Sequence, residues 1–231
     1  MMRLEPAARR AAVASVVVFV LLFLVATWFA RREDFSDLDR GARTLVHDGR
    51  ALALEPAVRV ISELAHGKVL LPLMMACSVV LWWRRHHAVA LGLPVIGVAA
   101  VAALGLTKWL VNKPRPTLRG YGFPSGHVFA ATVFVVVAVY LLWRFDAPRT
   151  TQRLARAAGI LFVVLVGYSR LYVNAHWLSD VVGGLLAGLA FATVAVLVLD
   201  RRPALTSSRG LWFMSLNRRA EPPPARRGGL P

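Results

Sequence analysis

Three short polar clusters interrupt a very apolar chain, and their residue types suit chemistry on a phosphate group. The clusters are Lys108-x6-Arg115-Pro116, Pro124-Ser125-Gly126-His127 and Ser169-Arg170-x5-His176-x3-Asp180. Phosphoryl transfer needs cations around a dianion, N–H donors for its oxygens, a nucleophile opposite the leaving group, and an acid that protonates that group. The three clusters together contain a candidate for each of these needs.

The basic residues of the clusters are candidates for holding the phosphate. Lys108, Arg115 and Arg170 supply positive charge, and the planar fork of an arginine grips two phosphate oxygens at once. Ser125 and Gly126 begin an apolar run, and a helix that starts there would present unpaired N–H groups and its positive dipole end to an anion. We therefore expect these five residues to bind phosphate.

The two histidines are candidates for the bond-making and bond-breaking steps. His176 and Asp180 are four residues apart, so they share a helix face if a helix begins near His176, and the carboxylate can then hold one ring nitrogen. The other nitrogen is free to attack phosphorus. His127 is then the protonated partner that donates to the departing oxygen. One neutral and one charged histidine predict a bell-shaped pH profile of activity.

A metal site is the main alternative for two histidines and an aspartate. The three nearby cations would repel a divalent ion, so we expect neither a metal nor another cofactor.

Six apolar stretches surround these clusters and predict the elements that position them. Of the 231 residues, 57% are hydrophobic, and about 20 apolar residues suffice to cross a bilayer as a helix. The stretches run from Ala11 to Ala30, Val69 to Trp83, Ala88 to Leu106, Val128 to Trp143, Ala157 to Tyr172 and Val181 to Leu199. They predict an all-α, polytopic membrane bundle of six transmembrane helices, with the three clusters at helix ends on one side.

The basic residues predict which side that is. One side carries 16 of the 28 Lys and Arg residues and four of the 12 Asp and Glu residues, and the other side is nearly balanced. The positive-inside rule then places both termini in the cytoplasm and the clusters at the extracytoplasmic face of the cytoplasmic membrane. The net charge of +16 follows from these loops, and nucleic-acid binding is not expected because membrane-inserted helices leave only short basic loops.

Two segments lie outside the predicted spans. Residues 31–64 are either an amphipathic segment on the outer membrane surface or a solvated loop, and the sequence leaves both open. Residues 1–200 form the predicted membrane domain, and residues 201–231 form a basic tail rich in Pro, Arg and Gly that is predicted to be disordered. His47 and His66 are interpreted as solvated flanks.

In this order and spacing, the three clusters resemble the signature of the type 2 phosphatidic acid phosphatase family at every motif position. The resemblance implies a helical bundle and a metal-independent phosphatase. It also implies the same roles: phosphate binding by Lys108, Arg115, Ser125, Gly126 and Arg170, with His176 as nucleophile, His127 as general acid and Asp180 as orienting carboxylate.

The resemblance leaves the substrate open. A small six-helix chain with an outward-facing site is similar to bacterial members that act on undecaprenyl pyrophosphate, phosphatidylglycerol phosphate or phosphatidic acid, and we favour the first. A phosphotransferase that passes the group to another lipid, and a catalytically inactive scaffold or lipid transporter, remain alternatives. The partners expected are a lipid phosphate or pyrophosphate and membrane lipids; the sequence says nothing of oligomeric state.

Overall fold

A computed structural model describes residues 2–32, 36–116 and 120–201, and these residues fold almost entirely into helices. The helices in chain order are α1 (Pro6–Arg32), α2 (Ser36–Asp48), α3 (Glu55–Leu64), α4 (Gly67–Trp83), α5 (His87–Val111), α6 (Gly126–Arg144), α7 (Arg149–Tyr172) and α8 (Leu178–Arg201), with one 3-10 turn at Leu52–Leu54. The predicted all-α fold is confirmed.

Within the described residues, five helices, α1 and α5 to α8, are long and apolar enough to cross a membrane. The predicted second span is shorter than these: α4 has 17 residues, or about 26 Å at 1.5 Å per residue. It joins Leu52–Leu64 at a bend of 48°, and the number of spans is six if this bent pair counts as one span. The chain is therefore a multi-pass membrane protein.

Helix α8 lies at the centre of the bundle, where it packs against α1 on one side and α6 on the other. Small residues on α8 let α6 approach closely. A methyl group added at Gly184 would stand 2.6 Å from the Ser125 carbonyl oxygen, and one added at Gly188 would stand 2.8 Å from Thr132 Cβ. The glycines thus allow the start of α6 and the start of α8 to meet, as close helix packing in membranes requires.

The two ends of the bundle differ in what holds them together. At one end, a buried cluster joins the helix ends: Arg144 donates to the Tyr140 hydroxyl at 2.6 Å, and Asp200 accepts from that hydroxyl at 3.2 Å and from the Leu4 N–H at 3.1 Å. At the other end lie the three polar clusters of the sequence. The alternating direction of the spans therefore brings all three clusters to one end, as predicted.

Residues 36–64, which the sequence placed between the first two predicted spans, are largely helical and do not form a simple solvated loop. Helix α2 packs against α7 and α8, and α3 packs against α7. Leu38 and Leu45 on α2 are exposed, which fits the amphipathic alternative, although its position on a membrane surface stays a prediction. The predicted tail lies outside the described residues except for Arg201, which ends α8.

Candidate active site

One cavity of about 280 Å³ opens between α4, α5, α6 and the loop before α8, and both histidines of the clusters line it. Lys108, Arg115 and Gly126 line the same cavity. The two imidazoles are therefore on the same side of the bundle and share one space, which is the arrangement that a joint role on a single phosphoryl group requires.

The nucleophile candidate and its carboxylate are paired as the four-residue spacing predicts. His176 Nδ1 lies 3.1 Å from Asp180 Oδ2, and both side chains are almost fully buried. Asp180 is the third residue of α8, and its Oδ2 also accepts the backbone N–H of Trp177 at 3.1 Å, which caps the helix. With Nδ1–H held by the carboxylate, the lone pair of Nε2 is the one available to a substrate.

The imidazole of His176 stays neutral at ordinary pH. Burial lowers the pKa of His176 because a charged ring would lose its hydration, and the nearby cations Lys108 and Arg115 lower it further. Asp180 opposes both effects without overcoming them. A neutral ring is the form that has a lone pair for attack.

Lys108 and Arg115 lie close to this pair, and Arg170 lies close to His127. Lys108 Nζ, near the end of α5, donates to the carbonyl oxygens of Tyr121 and Gly122, each at 3.2 Å. Arg115 Nε donates to the Tyr121 carbonyl at 3.1 Å. Arg170, near the end of α7, donates through Nη1 to the Ser62 hydroxyl. Each cation is thus tied to protein through part of its donors, which holds it in place beside the cavity.

The start of α6 is fixed to the start of α8. The Ser125 N–H donates to the Asp180 carbonyl oxygen at 2.8 Å, so the residue before the first turn of α6 is joined to the residue that orients His176. Gly126 gives room for close approach, since a methyl group there would stand 3.1 Å from a Leu104 methyl carbon. The free N–H groups of the first turn of α6 therefore lie beside the histidine pair.

Three buried polar atoms of this cluster lack hydrogen-bond partners within the described residues: Ser125 Oγ, Arg170 Nε and Asp180 Oδ1. A buried polar group without a partner is destabilising by about 1–3 kcal/mol, so such groups are usually found only where something else supplies the partner. Ser125 Oγ and Arg170 Nε are donors suited to an anion. None of the three residues lines the cavity itself, but Ser125 directly precedes the lining residue Gly126, and Asp180 hydrogen-bonds the lining residue His176.

The comparison with protein families decides what kind of site this is. The model of the PAP2 superfamily matches residues 87–204, just over half of the chain, and this range contains all three clusters. The chain belongs to the PAP2 superfamily. It is a membrane phosphatase of that family, as the sequence predicted.

Individual relatives agree with this assignment. The chain is 29% identical to phosphatidylglycerophosphatase B of Bacillus subtilis over 137 residues, which cover 56% of this chain and 67% of that protein. It is 38% identical to an undecaprenyl-diphosphatase of Sulfolobus acidocaldarius over 86 residues, only 36% of each protein. Its fold matches the crystal structure of a transmembrane PAP2 phosphatidylglycerolphosphate phosphatase from Bacillus subtilis with a TM-score of 0.72 at 23% identity, covering 78% of this chain and 94% of that one.

One residue of this PAP2 chain was misplaced by the sequence interpretation. His66, expected to be a solvated flank, packs its ring edge-on against His127, with the ring centroids 5.1 Å apart, and lines the same cavity. Its Nδ1 accepts the Lys68 N–H at 3.1 Å and so caps α4. The bend between α3 and α4 brings His66 to this position. No sequence pattern indicates which residue a side chain at such a bend will contact.

Three further residues of the site were also missed or undervalued. Ser62 on α3 receives the Arg170 guanidinium, while Asp39 on α2 and Lys113 in the loop after α5 form a buried pair at 2.9 Å beside α8. The available signal was weak: each is one polar residue among many in the segments between the apolar runs, and only tertiary packing buries it.

Proposed function

We propose that this PAP2 protein is a lipid phosphatase that forms a phosphohistidine on His176 at the extracytoplasmic face of the cytoplasmic membrane. The observation that carries the proposal is the buried His176–Asp180 pair, which opens onto a cavity also lined by His127, Lys108 and Arg115. Phosphate binding is assigned to these two cations and Gly126, which line that cavity, and to Ser125 and Arg170, which each have a buried donor without a hydrogen-bond partner in the described part of the chain.

The chemistry proceeds in two displacements. Nε2 of His176 attacks phosphorus, the bond from phosphorus to the leaving oxygen breaks, and His127 donates its proton to that oxygen. Water then attacks the phosphorus of the phosphohistidine, the now neutral His127 accepts a proton from that water, and the P–N bond breaks to release phosphate. Within the described residues the His127 ring contacts His66, and no carboxylate hydrogen-bonds to it, so the negative charge of the substrate itself would favour the protonated ring.

The shape of the cavity supports a lipid substrate. Below the polar end its walls are apolar and come from α4, α5 and α6, for example Leu70, Ala100 and Val133. Two of its lining residues, Met74 and Phe134, also line a second apolar cavity of about 490 Å³ that continues to Phe145 at the end of α6. If the phosphate group of a lipid is held at the polar end, the hydrocarbon chain of that lipid can extend along this path.

The length of the path favours a long chain. From His127 to Phe145, α6 rises about 27 Å, whereas one leaflet of hydrocarbon is about 15 Å thick. A chain that follows the whole path passes the middle of the membrane, which suits the polyprenyl chain of undecaprenyl pyrophosphate. Phosphatidylglycerol phosphate is the second candidate, favoured by the Bacillus subtilis relative, and phosphatidic acid has the same phosphate chemistry.

A phosphate-release assay on purified protein tests the proposal. The panel is undecaprenyl pyrophosphate, phosphatidylglycerol phosphate and phosphatidic acid, each with His176→Ala as the inactive control. We expect free phosphate from at least one lipid, fastest from undecaprenyl pyrophosphate. If label appears in a second lipid and not in free phosphate, the protein is a phosphotransferase. Turnover by His176→Ala at the wild-type rate would remove the nucleophile.

Two further measurements test the intermediate and the expected independence from metal. Rapid quenching with labelled substrate should trap a protein phosphate that is labile in acid and stable in base. Vanadate should inhibit because it adopts the five-coordinate geometry of the transferring phosphoryl group. A chelator should not inhibit; reversible loss of activity on chelation would show that a metal takes part.

The proposed orientation, with both termini in the cytoplasm, is tested in intact cells. A cysteine placed at residue 119, in a chain whose Cys77 is replaced by Ala, should react with an impermeant reagent. Reaction only after permeabilisation would invert the topology.

A further inference from the structure

Helix α2 buries a carboxylate where an amphipathic helix normally buries an apolar residue. Asp39 is 3% exposed and is the one residue of α2 that is fully buried. Its Oδ1 accepts the Ser179 N–H at 2.8 Å, and its Oδ2 accepts the Ser179 hydroxyl at 2.6 Å. Ser179 directly precedes Asp180, so a helix outside the three motifs holds the first turn of α8.

Lys113 lies between two carboxylates. Its Nζ is 2.9 Å from Asp39 Oδ2 and 2.5 Å from Ser179 Oγ, but 3.8 Å from Asp180 Oδ1. Asp180 Oδ1 has no hydrogen-bond partner within the described residues. Asp39 and Ser179 thus take the hydrogen bonds of the ammonium group, which stays at the longer ion-pair distance of 3.8 Å from the carboxylate that orients His176.

A second contact of α2 reaches the same loop. Arg43, one helical turn after Asp39, donates through Nε to Asn174 Oδ1 at 2.8 Å, and its guanidinium lies 5.9 Å from the centre of the Trp177 ring. Asn174 and Trp177 flank His176 in the chain. Helix α2 therefore contacts the nucleophile loop before and after the nucleophile.

We propose that Asp39 is a positioning residue for the phosphatase reaction: it hydrogen-bonds Lys113 and anchors Ser179, so that Lys113 stays at ion-pair distance from Asp180 and does not hydrogen-bond to it. The proposal rests on the proposed function of His176. When Nε2 bonds to phosphorus, the ring gains positive charge, and the nearby carboxylate stabilises that charge. An ammonium group on Asp180 Oδ1 would weaken this stabilisation.

Asp39→Asn tests the proposal because it keeps the size of the side chain and removes its charge. Lys113 is then expected to move onto Asp180 Oδ1. We expect kcat to fall by about 10-fold to 100-fold with little change in KM, since the loss acts on the charge that develops in the transition state. Asp37→Asn is the matched control on the same helix, because the Asp37 side chain is 95% exposed, and it should leave kcat unchanged.

The pH profile separates positioning from a merely structural role. The charged or titratable groups around His176 are Asp180, Lys108, Arg115, His127 and, through Asp180, Lys113. Asp39→Asn brings positive charge toward the pair and should move the acid-side fall of activity to lower pH. Lys113→Met removes positive charge and should move it to higher pH. The double variant should restore kcat at least about tenfold over Asp39→Asn.

Wild-type kcat and pH profile in Asp39→Asn would overturn the proposal. A fall in kcat without a shift of the acid-side limb, or without recovery in the double variant, would also overturn it and leave a structural role only. If Asp39→Asn does not fold, the opposite shift in Lys113→Met still decides, because the absence of that shift contradicts an ammonium group that acts on Asp180 from 3.8 Å. His176→Ala is measured in parallel: activity in that variant refutes the proposed function, whatever Asp39 does.

Discussion

Asp180→Asn is the most direct test of how the candidate nucleophile is activated. The Asp180 side chain is fully buried, and its Oδ2 accepts two N–H groups, from the Trp177 backbone and from His176 Nδ1. The Trp177 N–H requires an oxygen at that position, so the asparagine amide is expected to turn its oxygen there and keep both hydrogen bonds. The substitution then removes charge with little change in geometry.

The expected loss follows from the distance between the charges. The carboxylate and the ring lie about 4 Å apart, and two unit charges at that distance interact by about 4 kcal/mol at an effective dielectric constant of about 20. The charge that develops on the ring during attack is partial, so we expect about 3 kcal/mol, or a fall in kcat of roughly 100-fold to 1,000-fold. The variant should also lower the pKa of His176 further, because Asp180 is the group that raises it.

The assay is phosphate release under saturating lipid, with folding checked by thermal unfolding in detergent. Asp200→Asn is the matched control, because Asp200 is also a buried carboxylate on α8 but lies at the opposite end of the bundle. It should lower thermal stability and leave kcat nearly unchanged. A kcat within about threefold of wild type in folded Asp180→Asn would refute the electrostatic reasoning, since that is below 1 kcal/mol.

Three other perturbations test separate features of the site. Gly122→Ala places a methyl group 2.6 Å from Asp180 Oδ2 and should lower kcat about 100-fold by displacing the carboxylate. Gly105→Ala, whose methyl group meets nothing within 4 Å, should leave kcat unchanged; equal activities of the two variants would contradict the close approach at Gly122. Because the pKa of His176 lies below its usual value of about 6.5, the ring is neutral at pH 7, and the acid-side fall of kcat/KM should lie below about pH 6.5; an acid-side fall that begins above pH 7 would contradict a buried neutral ring. Ala100→Trp fills the apolar cavity and should raise KM about tenfold for a long-chain lipid phosphate but not for a short-chain analogue; equal effects on both would show that the chain does not lie there.

The fold and most of the site could be predicted because they depend on signals that are local in the chain. The length and apolar composition of each run predict a membrane span without reference to the rest of the chain. The four-residue spacing of His176 and Asp180 likewise predicts their contact once a helix begins near Leu178. The 48° bend between Leu52–Leu64 and α4 could not be predicted, because it depends on how these two segments pack against the other helices. His66 was misjudged for that reason.

The sequence by itself identified the candidate residues for the chemistry and predicted that they lie at one end of the bundle, since motif spacing and the order of apolar and polar segments can be read along the chain. Only the tertiary structure decided which neighbours act on them. Asp39 lies 141 residues before Asp180, and an aspartate on a short outer helix is ordinarily solvated. It becomes a partner of Ser179 and Lys113 because α2 packs against α8, and burial of a carboxylate is stable only where such donors surround it.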